Sequence, residues 1–176
     1  ARGMVPPGIF IPVAESSDLI LALVEWVLRT AIRDVAKHLA HLPSDFDLHV
    51  NVSARQLIQS DFGHTLKQAL LASGLPPHNL TLELTESVLI DPRDEVDATL
   101  GELRDAGVSL ALDDFGSGYS SLTYLRRYPL DVLKLDISYT QAMVHDAETR
   151  VIVESVVTMA NRLGLRVVAE GEFGDH

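Results

Sequence analysis

The sequence predicts an α/β fold in which parallel strands close into a barrel, with residues 1–176 forming a single domain. Short apolar segments typical of strands alternate with helical patterns along the chain, which indicates a parallel sheet. Each predicted strand ends on a polar or charged residue, and a barrel gathers such ends around one opening. A chain of 176 residues with 47% apolar and 22% charged residues suits a globular domain with a substantial core.

The predicted elements follow one another without a linker or a close sequence repeat. The first helix begins after the candidate caps at 16–18 and ends before Pro43, because apolar residues recur at helical spacing from Leu19 to Val35. The later elements, in chain order, are a strand Leu48–Val52, a helix from Asp61 to Gly74, a strand Leu80–Thr85, a helix from Asp91 to Gly107, a strand Val108–Asp113, a helix Tyr119–Arg127, a strand Val132–Asp136, a helix Glu148–Leu163 and a strand Leu165–Ala169.

The predicted strand ends carry oxygen donors and one lysine. These residues are Asn51, Glu83, Asp113 with Asp114, Lys134 with Asp136, and Glu170. Alternation along a strand puts Glu83 on one face with Thr81 and Thr85, and puts the intervening leucines on the other face. We expect the polar set to point into the barrel and the apolar set to pack under the helices. An open sheet would instead spread the strand ends along a crevice.

The oxygen donors predict a site for hard divalent cations. Carboxylate and amide oxygens, as in Asn51, Glu83 and Asp113, are the ligands that Mg²⁺ and Mn²⁺ prefer. The adjacent pair Asp113 and Asp114 suits two metals, or one metal and a water. Two cations a few Å apart would activate a water and neutralise phosphoryl oxygens, so such an acidic site could hydrolyse an anionic diester.

Two further residues complete the predicted chemistry. Lys134 is suited to stabilise developing negative charge or to orient the attacking water, and Glu170 to act as a general base or an additional ligand. The seven histidines are scattered without ligand spacing, and we interpret each as a surface or core residue rather than a ligand. The chain has no cysteine, which excludes disulfides and thiolate metal sites.

The net charge of −11 limits the range of partners. Such a surface repels DNA, RNA and anionic lipid, so we expect no nucleic-acid polymer as a partner and no membrane contact by the domain. No apolar run approaches the roughly 20 residues that span a bilayer. The first residues lack the pattern of a signal peptide.

A glycine-rich loop follows the predicted third strand directly. Its sequence is Asp114–Phe115–Gly116–Ser117–Gly118, in which two glycines permit sharp turns. The Asp-Phe-Gly triplet also occurs in protein kinases. The other kinase motifs are absent from the sequence, which rules out that interpretation.

Six segments of the chain, taken in order, resemble the EAL family, whose members hydrolyse cyclic-di-GMP to the linear dinucleotide pGpG. The segments are Gly3 to Glu15 with its Phe10–Ile11–Pro12, Asn51-x-Ser53-x-x-Gln56–Leu57, Glu83–Leu84–Thr85–Glu86, Asp113 to Gly118, Lys134–Leu135–Asp136, and Ala169–Glu170–Gly171. The agreement runs nearly end to end.

The resemblance implies a modified TIM-type (β/α)₈ barrel, incomplete in this chain, with two Mg²⁺ or Mn²⁺ ions. It also assigns roles to individual residues, and the implied metal ligands are Asn51, Glu83 and Asp113, with Asp114 and Asp136 for the second ion. Lys134 would position the attacking water, Glu170 would be a catalytic acid near the metals, and Asp114 would also take part in catalysis. The residues of the implied loop anchor are Glu86, Gly116, Ser117 and Gly118.

The resemblance also predicts the cellular context. The substrate would be cyclic-di-GMP, and the domain could form a homodimer through the region of its glycine-rich loop. In the full protein we expect fusion to sensor or GGDEF-type domains. The location would be the bacterial cytoplasm, either as a separate protein or as the cytoplasmic part of a larger membrane or signalling protein.

Two departures from the family pattern leave alternatives open. The Glu-Ala-Leu motif should lie before Ala1, so we expect truncation of the domain at its N-terminus. The residues after Gly171 do not continue the family pattern, so we also expect a missing segment between Gly171 and Glu172. If the unseen motif is degenerate, the domain would be an inactive cyclic-di-GMP receptor. A third hypothesis is a different metal-containing barrel that uses Lys134 in Schiff-base or carbon-acid chemistry.

Overall fold

The computed structural model describes residues 3–17, 19–59, 61–90, 93–116 and 123–171. Strands and helices alternate through this part of the chain, as predicted. The helices are α1 (Pro7–Glu15), α2 (Leu19–His38), α3 (Ala54–Leu57), α4 (Phe62–Ser73), α5 (Glu86–Ile90), α6 (Asp94–Asp105), α7 (Thr123–Arg127), α8 (Ile137–Ala142) and α9 (Ala147–Arg162), with short 3₁₀ turns at Leu39–His41 and Pro77–Asn79. The strands are β1 (Leu48–Asn51), β2 (Leu80–Thr85), β3 (Ser109–Phe115), β4 (Val132–Leu135) and β5 (Arg166–Ala169).

The five strands form one parallel sheet in the order in which they occur in the chain. The register pairs Asn51 of β1 with Glu83 of β2, and Thr85 of β2 with Asp113 of β3. Because all the strands run in one direction, the residues that follow them lie at one end of the sheet. This topology places the predicted polar strand ends side by side.

The sheet is curved, and a contact between its two edges shows this curvature. Arg166 of β5 lies 3.3 Å from Asp47, the residue before β1, measured from Nη2 to Oδ2. In a flat sheet the first and fifth strands would be about 19 Å apart, at about 4.8 Å per strand. An ion pair cannot bridge that separation, so the sheet must curl toward closure. The five strands therefore form part of a barrel.

Alternate residues of the strands build the core between the sheet and the helices. Leu80, Leu82 and Leu84 of β2 are fully buried, and they belong to one apolar cluster with Leu100 and Leu103 of α6. Burying a leucine side chain completely contributes about 1.5–3 kcal/mol. The division of β2 into an apolar outer face and a polar inner face, predicted from its alternation, is confirmed.

Several local features differ from the sequence prediction. Helix α1 was not predicted, because Pro12 lies inside it; Pro7 at its first turn has the φ angle that a helix start requires. The single-turn helices α3, α5 and α8 were also not predicted. Strand β3 continues to Phe115, two residues beyond the predicted end, through a shift of register after Leu112. The predicted starts of two helices, at 91–92 and 119–122, lie outside the described residues.

In the part of the chain that the structure describes, no helix combines the length and the apolar character needed to cross a bilayer.

Candidate active site at the carboxyl ends of the strands

Lys134 lies at the centre of a charged cluster. Its Nζ lies 2.8 Å from Glu83 Oε1, 2.8 Å from Asp113 Oδ1 and 2.7 Å from Glu170 Oε1. These residues come from β2, β3, β4 and the position after β5. The lysine side chain is 10% exposed, and those of Glu83 and Asp113 are 7% and 11% exposed. The curved sheet thus brings together four residues that the sequence analysis selected from separate strands.

The ammonium group of Lys134 is stabilised in its charged form. Burial by itself would lower the pKa of Lys134, but the carboxylates of Asp113, Glu170 and Glu83 outweigh burial and raise it. Schiff-base chemistry needs a lysine whose pKa is lowered, so that the neutral amine is present. The contacts of Lys134 therefore argue against the third hypothesis.

Three carboxylates form a compact group of potential metal ligands. Asp113, Asp114 and Glu170 each offer one oxygen, and these oxygens lie within 4.8 Å of one another. Burial, followed by the negative charges of Asp113, Asp136 and Glu170, raises the pKa of Asp114. The cluster thus has more carboxylates than the single ammonium of Lys134 can neutralise. Such an excess of oxygen donors suits Mg²⁺ or Mn²⁺.

An irregularity in β3 explains how neighbouring residues reach the same group. Adjacent side chains of a regular strand point to opposite faces. Asp114 has a left-handed backbone with φ of 54°, and the register between β3 and β4 shifts between Leu112 and Phe115. Aspartate tolerates this conformation better than most residues. The shift allows the oxygens of Asp113 and Asp114 to approach one another.

Asp136 and Asn51 lie beside the cluster in different environments. Asp136 caps helix α8, where its Oδ1 accepts a hydrogen bond from Ser138 N at 2.8 Å. Hydrogen bonds from the Ser138 side chain and backbone lower the pKa of Asp136. Asn51 is exposed at the end of β1 and, with Thr85, lines a cavity of about 540 Å³. Its metal-binding role stays a prediction, as does that of Asp136.

Hydrogen bonds at two places support the loops around the site. Ser53 and Gln56 form a reciprocal cap at the start of α3, directly after β1 and Asn51. Glu86 at the start of α5 accepts a hydrogen bond from Gly116 N at 2.9 Å, the contact expected of a loop anchor. Ser117 and Gly118, predicted for the same anchor, lie outside the described residues.

Gly116 has a backbone and a neighbour that both require glycine. Its φ is 100°, a conformation that other residues rarely adopt. A Cβ atom at this position would collide with the ring of Tyr139 in α8. The aromatic ring therefore packs directly against the backbone of the loop. Tyr139 was not selected by the sequence analysis.

Sequence analysis also missed the contact that His49 makes with the cluster. The interpretation of His49 as a surface or core residue rather than a ligand does not include this contact, in which its Nδ1 lies 2.8 Å from Glu83 Oε1. Ligand spacing in the sequence does not detect such a contact. Strand alternation indicates that His49 shares a face of β1 with Asn51, but its partner on β2 depends on the register of the two strands.

The comparisons with known proteins agree with this architecture. The family model described as EAL domain matches residues 1–171. MucR of Pseudomonas aeruginosa, a bifunctional diguanylate cyclase/cyclic di-GMP phosphodiesterase, is 38% identical over 170 residues, which are 97% of this chain and 25% of MucR. The chain spans about a quarter of the length of the curated relatives it matches first.

Two solved structures share the fold closely. The PaMucR phosphodiesterase in complex with c-di-GMP superposes with a TM-score of 0.90 at 37% identity, over 99% of this chain and 70% of that one. The manganese/cy-diGMP complex of Klebsiella pneumoniae BlrP1 has a TM-score of 0.84 at 31% identity, over 97% of this chain and 42% of that one. The predicted α/β barrel class is confirmed, and this chain belongs to the EAL domain family.

Proposed function

We propose that this chain is a catalytic phosphodiesterase domain that hydrolyses cyclic-di-GMP to linear pGpG with Mg²⁺ or Mn²⁺. The observation that carries the proposal is the contact of Lys134 with Glu83, Asp113 and Glu170 at the ends of the strands. The relatives support the substrate, since MucR is a cyclic di-GMP phosphodiesterase and PaMucR binds c-di-GMP.

The donor set fits two divalent cations. We assign the first ion to Asn51, Glu83 and Asp113, and the second to Asp114 and Asp136. The mutual distances of at most 4.8 Å among the oxygens of Asp113, Asp114 and Glu170 support metal binding in this region, and the division of the ligands between two ions is part of the proposal. Bound there, the ions would supply Lewis acidity and neutralise the charge of the phosphodiester.

The side chains of the chain itself have separate tasks. The ammonium of Lys134 remains charged among its carboxylates, so its positive charge can stabilise a nearby oxygen that gains negative charge. To donate a hydrogen bond to an incoming water, it would have to release one of the three carboxylates that hold its three N–H groups. The side chain of Glu170 is 36% exposed, more than those of Glu83 and Asp113. Its carboxylate can therefore meet substrate and exchange a proton with the water or the leaving oxygen.

A backbone contact holds Glu170 near the cluster. The hydroxyl of Thr140 in α8 donates a hydrogen bond to the Glu170 carbonyl, and the Glu170 amide donates to the carbonyl of Leu135 at 3.3 Å. Helix α8 begins at Ile137, directly after its cap Asp136, which follows β4. The position of Glu170 is thus fixed relative to the strand that carries Lys134.

The wider context follows from the relatives. We place the domain in a larger bacterial signalling protein with GGDEF-type or sensor domains, because MucR combines diguanylate cyclase and phosphodiesterase activities and this chain covers 25% of it. We also propose that the domain works in the cytoplasm and can form a homodimer.

The test is an assay of the full-length protein with cyclic-di-GMP and Mg²⁺, Mn²⁺ or Ca²⁺, in which chromatography detects pGpG. We expect Glu83→Ala and Asp113→Asn each to abolish hydrolysis, while Asp105→Asn, an exposed carboxylate at the end of α6, leaves it unchanged. Turnover retained in either site variant would refute the ligand assignment. Binding of cyclic-di-GMP by the wild type without turnover would instead identify a receptor.

A further inference from the structure

We propose that His49 is a positioning residue that fixes the orientation of the Glu83 carboxylate. The inference rests on the proposed function, because it concerns how one assigned metal ligand is held. Nδ1 of His49 lies 2.8 Å from Glu83 Oε1, across the pair of strands β1 and β2. The oxygen can only accept, so the proton of this hydrogen bond lies on Nδ1.

Glu83 Oε1 is held from two directions. His49 approaches it from β1, and Lys134 Nζ approaches the same oxygen from β4 at 2.8 Å. The terminal torsion of a glutamate has broad minima, so a single contact would leave the carboxylate plane free to turn. Two donors on one oxygen restrict that rotation, and they thereby fix where the second oxygen, Oε2, lies.

Asp47 lies on the other side of the His49 ring. Nε2 of His49 lies 3.3 Å from Asp47 Oδ2. The same Asp47 oxygen accepts a hydrogen bond from Thr81 Oγ1 at 2.7 Å and lies 3.3 Å from Arg166 Nη2. The imidazole ring therefore lies between the carboxylates of Asp47 and Glu83, and its hydrogen bond is the one to Glu83. Residues that hydrogen-bond to a metal ligand, as His49 does to Glu83, orient that ligand, and their loss costs about 10–100-fold in metal affinity or activity.

Three substitutions separate hydrogen bonding from the filling of space. His49→Asn keeps a nitrogen at the same number of bonds from Cα as Nδ1, and can still donate to Glu83. His49→Gln puts its nitrogen farther out, near the position of Nε2, and can still reach Asp47. His49→Leu fills a similar volume without a donor. His78→Asn is the control, since His78 is exposed in the turn before β2, at the opposite end of the strands.

The measurements are the dissociation constant of Mn²⁺, read from the electron paramagnetic resonance signal of free Mn²⁺, and the steady-state hydrolysis of cyclic-di-GMP, both in the full-length protein. We expect His49→Leu and His49→Gln to weaken Mn²⁺ binding about tenfold. His49→Asn should stay within about threefold of the wild type, and His78→Asn should match it. The loss of activity in His49→Leu should appear mainly in kcat.

The outcomes distinguish this inference from the proposed function. If the wild type binds Mn²⁺ and turns over substrate, but His49→Leu does both equally well, the positioning role is refuted and the function stands. A positioning role is also refuted if all three substitutions have the same effect. If His49→Leu does not fold, the comparison of His49→Asn with His49→Gln decides. A wild type that neither binds Mn²⁺ nor hydrolyses the substrate refutes both proposals.

Discussion

Replacing Lys134 with methionine tests the charge balance of the cluster, because the substitution removes the ammonium but keeps an unbranched side chain. The side chains of Glu83 and Asp113 are almost fully buried, and they would then lie without the ammonium group that neutralises them. Removing one partner of a buried ion pair costs about 3–5 kcal/mol. Glu170 is 36% exposed, so the loss of its contact with Lys134 adds little to this cost. We therefore expect Lys134→Met to lower the free energy of unfolding by about 3 kcal/mol, the lower end of that range.

The expected change can be measured as a shift in melting temperature. In a domain of about 150–250 residues, 1 kcal/mol changes Tm by roughly 2–4 °C, so Lys134→Met should lower Tm by about 6–12 °C. Circular dichroism of the purified protein in EDTA follows the transition. The matched control is Lys67→Met: Lys67 lies 3.7 Å from Glu102 at the surface, where an ion pair contributes about 0.5 kcal/mol. Equal shifts in the two variants would refute the argument.

Two further predictions concern Asp114 and the loop glycine. Since burial and neighbouring carboxylates raise the pKa of Asp114 above its ordinary 3.8, the folded protein binds more protons than the unfolded chain just above that pH. The free energy of unfolding of the wild type should therefore fall relative to that of Asp114→Asn as pH rises through this window. Urea unfolding in EDTA measures both free energies, and a wild-type value that stays level or rises relative to the variant would contradict the prediction. Gly116→Ala should remove most hydrolysis of cyclic-di-GMP, because its φ is 100° and the new Cβ would collide with Tyr139. Gly101→Ala in α6, where a Cβ meets nothing within 4 Å, is the control, and equal activity of the two variants would refute the loop argument.

The convergence of Glu83, Asp113 and Lys134 was predictable because it follows from simple periodicity. Parallel strands place their carboxyl ends together, and alternation decides which side chains share the inner face. The same rule failed to explain Asp113 and Asp114, since it sends adjacent residues to opposite faces. The left-handed backbone of Asp114 resolves this conflict, and no local residue pattern specifies it.

Other features were unpredictable because they depend on distant parts of the chain. His49 contacts Glu83, which is 34 positions away, and only the strand register brings them together. The packing of Tyr139 against Gly116 likewise depends on how α8 leaves β4. Helix α1 contains Pro12 as the sixth of its nine residues, and a proline inside a helix normally argues against one.

The sequential order of the strands has a consequence for the biosynthesis of the domain. Each new strand adds to the edge formed by the one before it, so the sheet can grow in the order in which the ribosome delivers it. A nascent chain that ends before β4 contains Glu83 and Asp113 but has not yet received Lys134. Glu83 and Asp113 remain without the ammonium of Lys134 until translation has passed residue 134. Arg166, whose contact with Asp47 joins the two edges of the sheet, is synthesised later still.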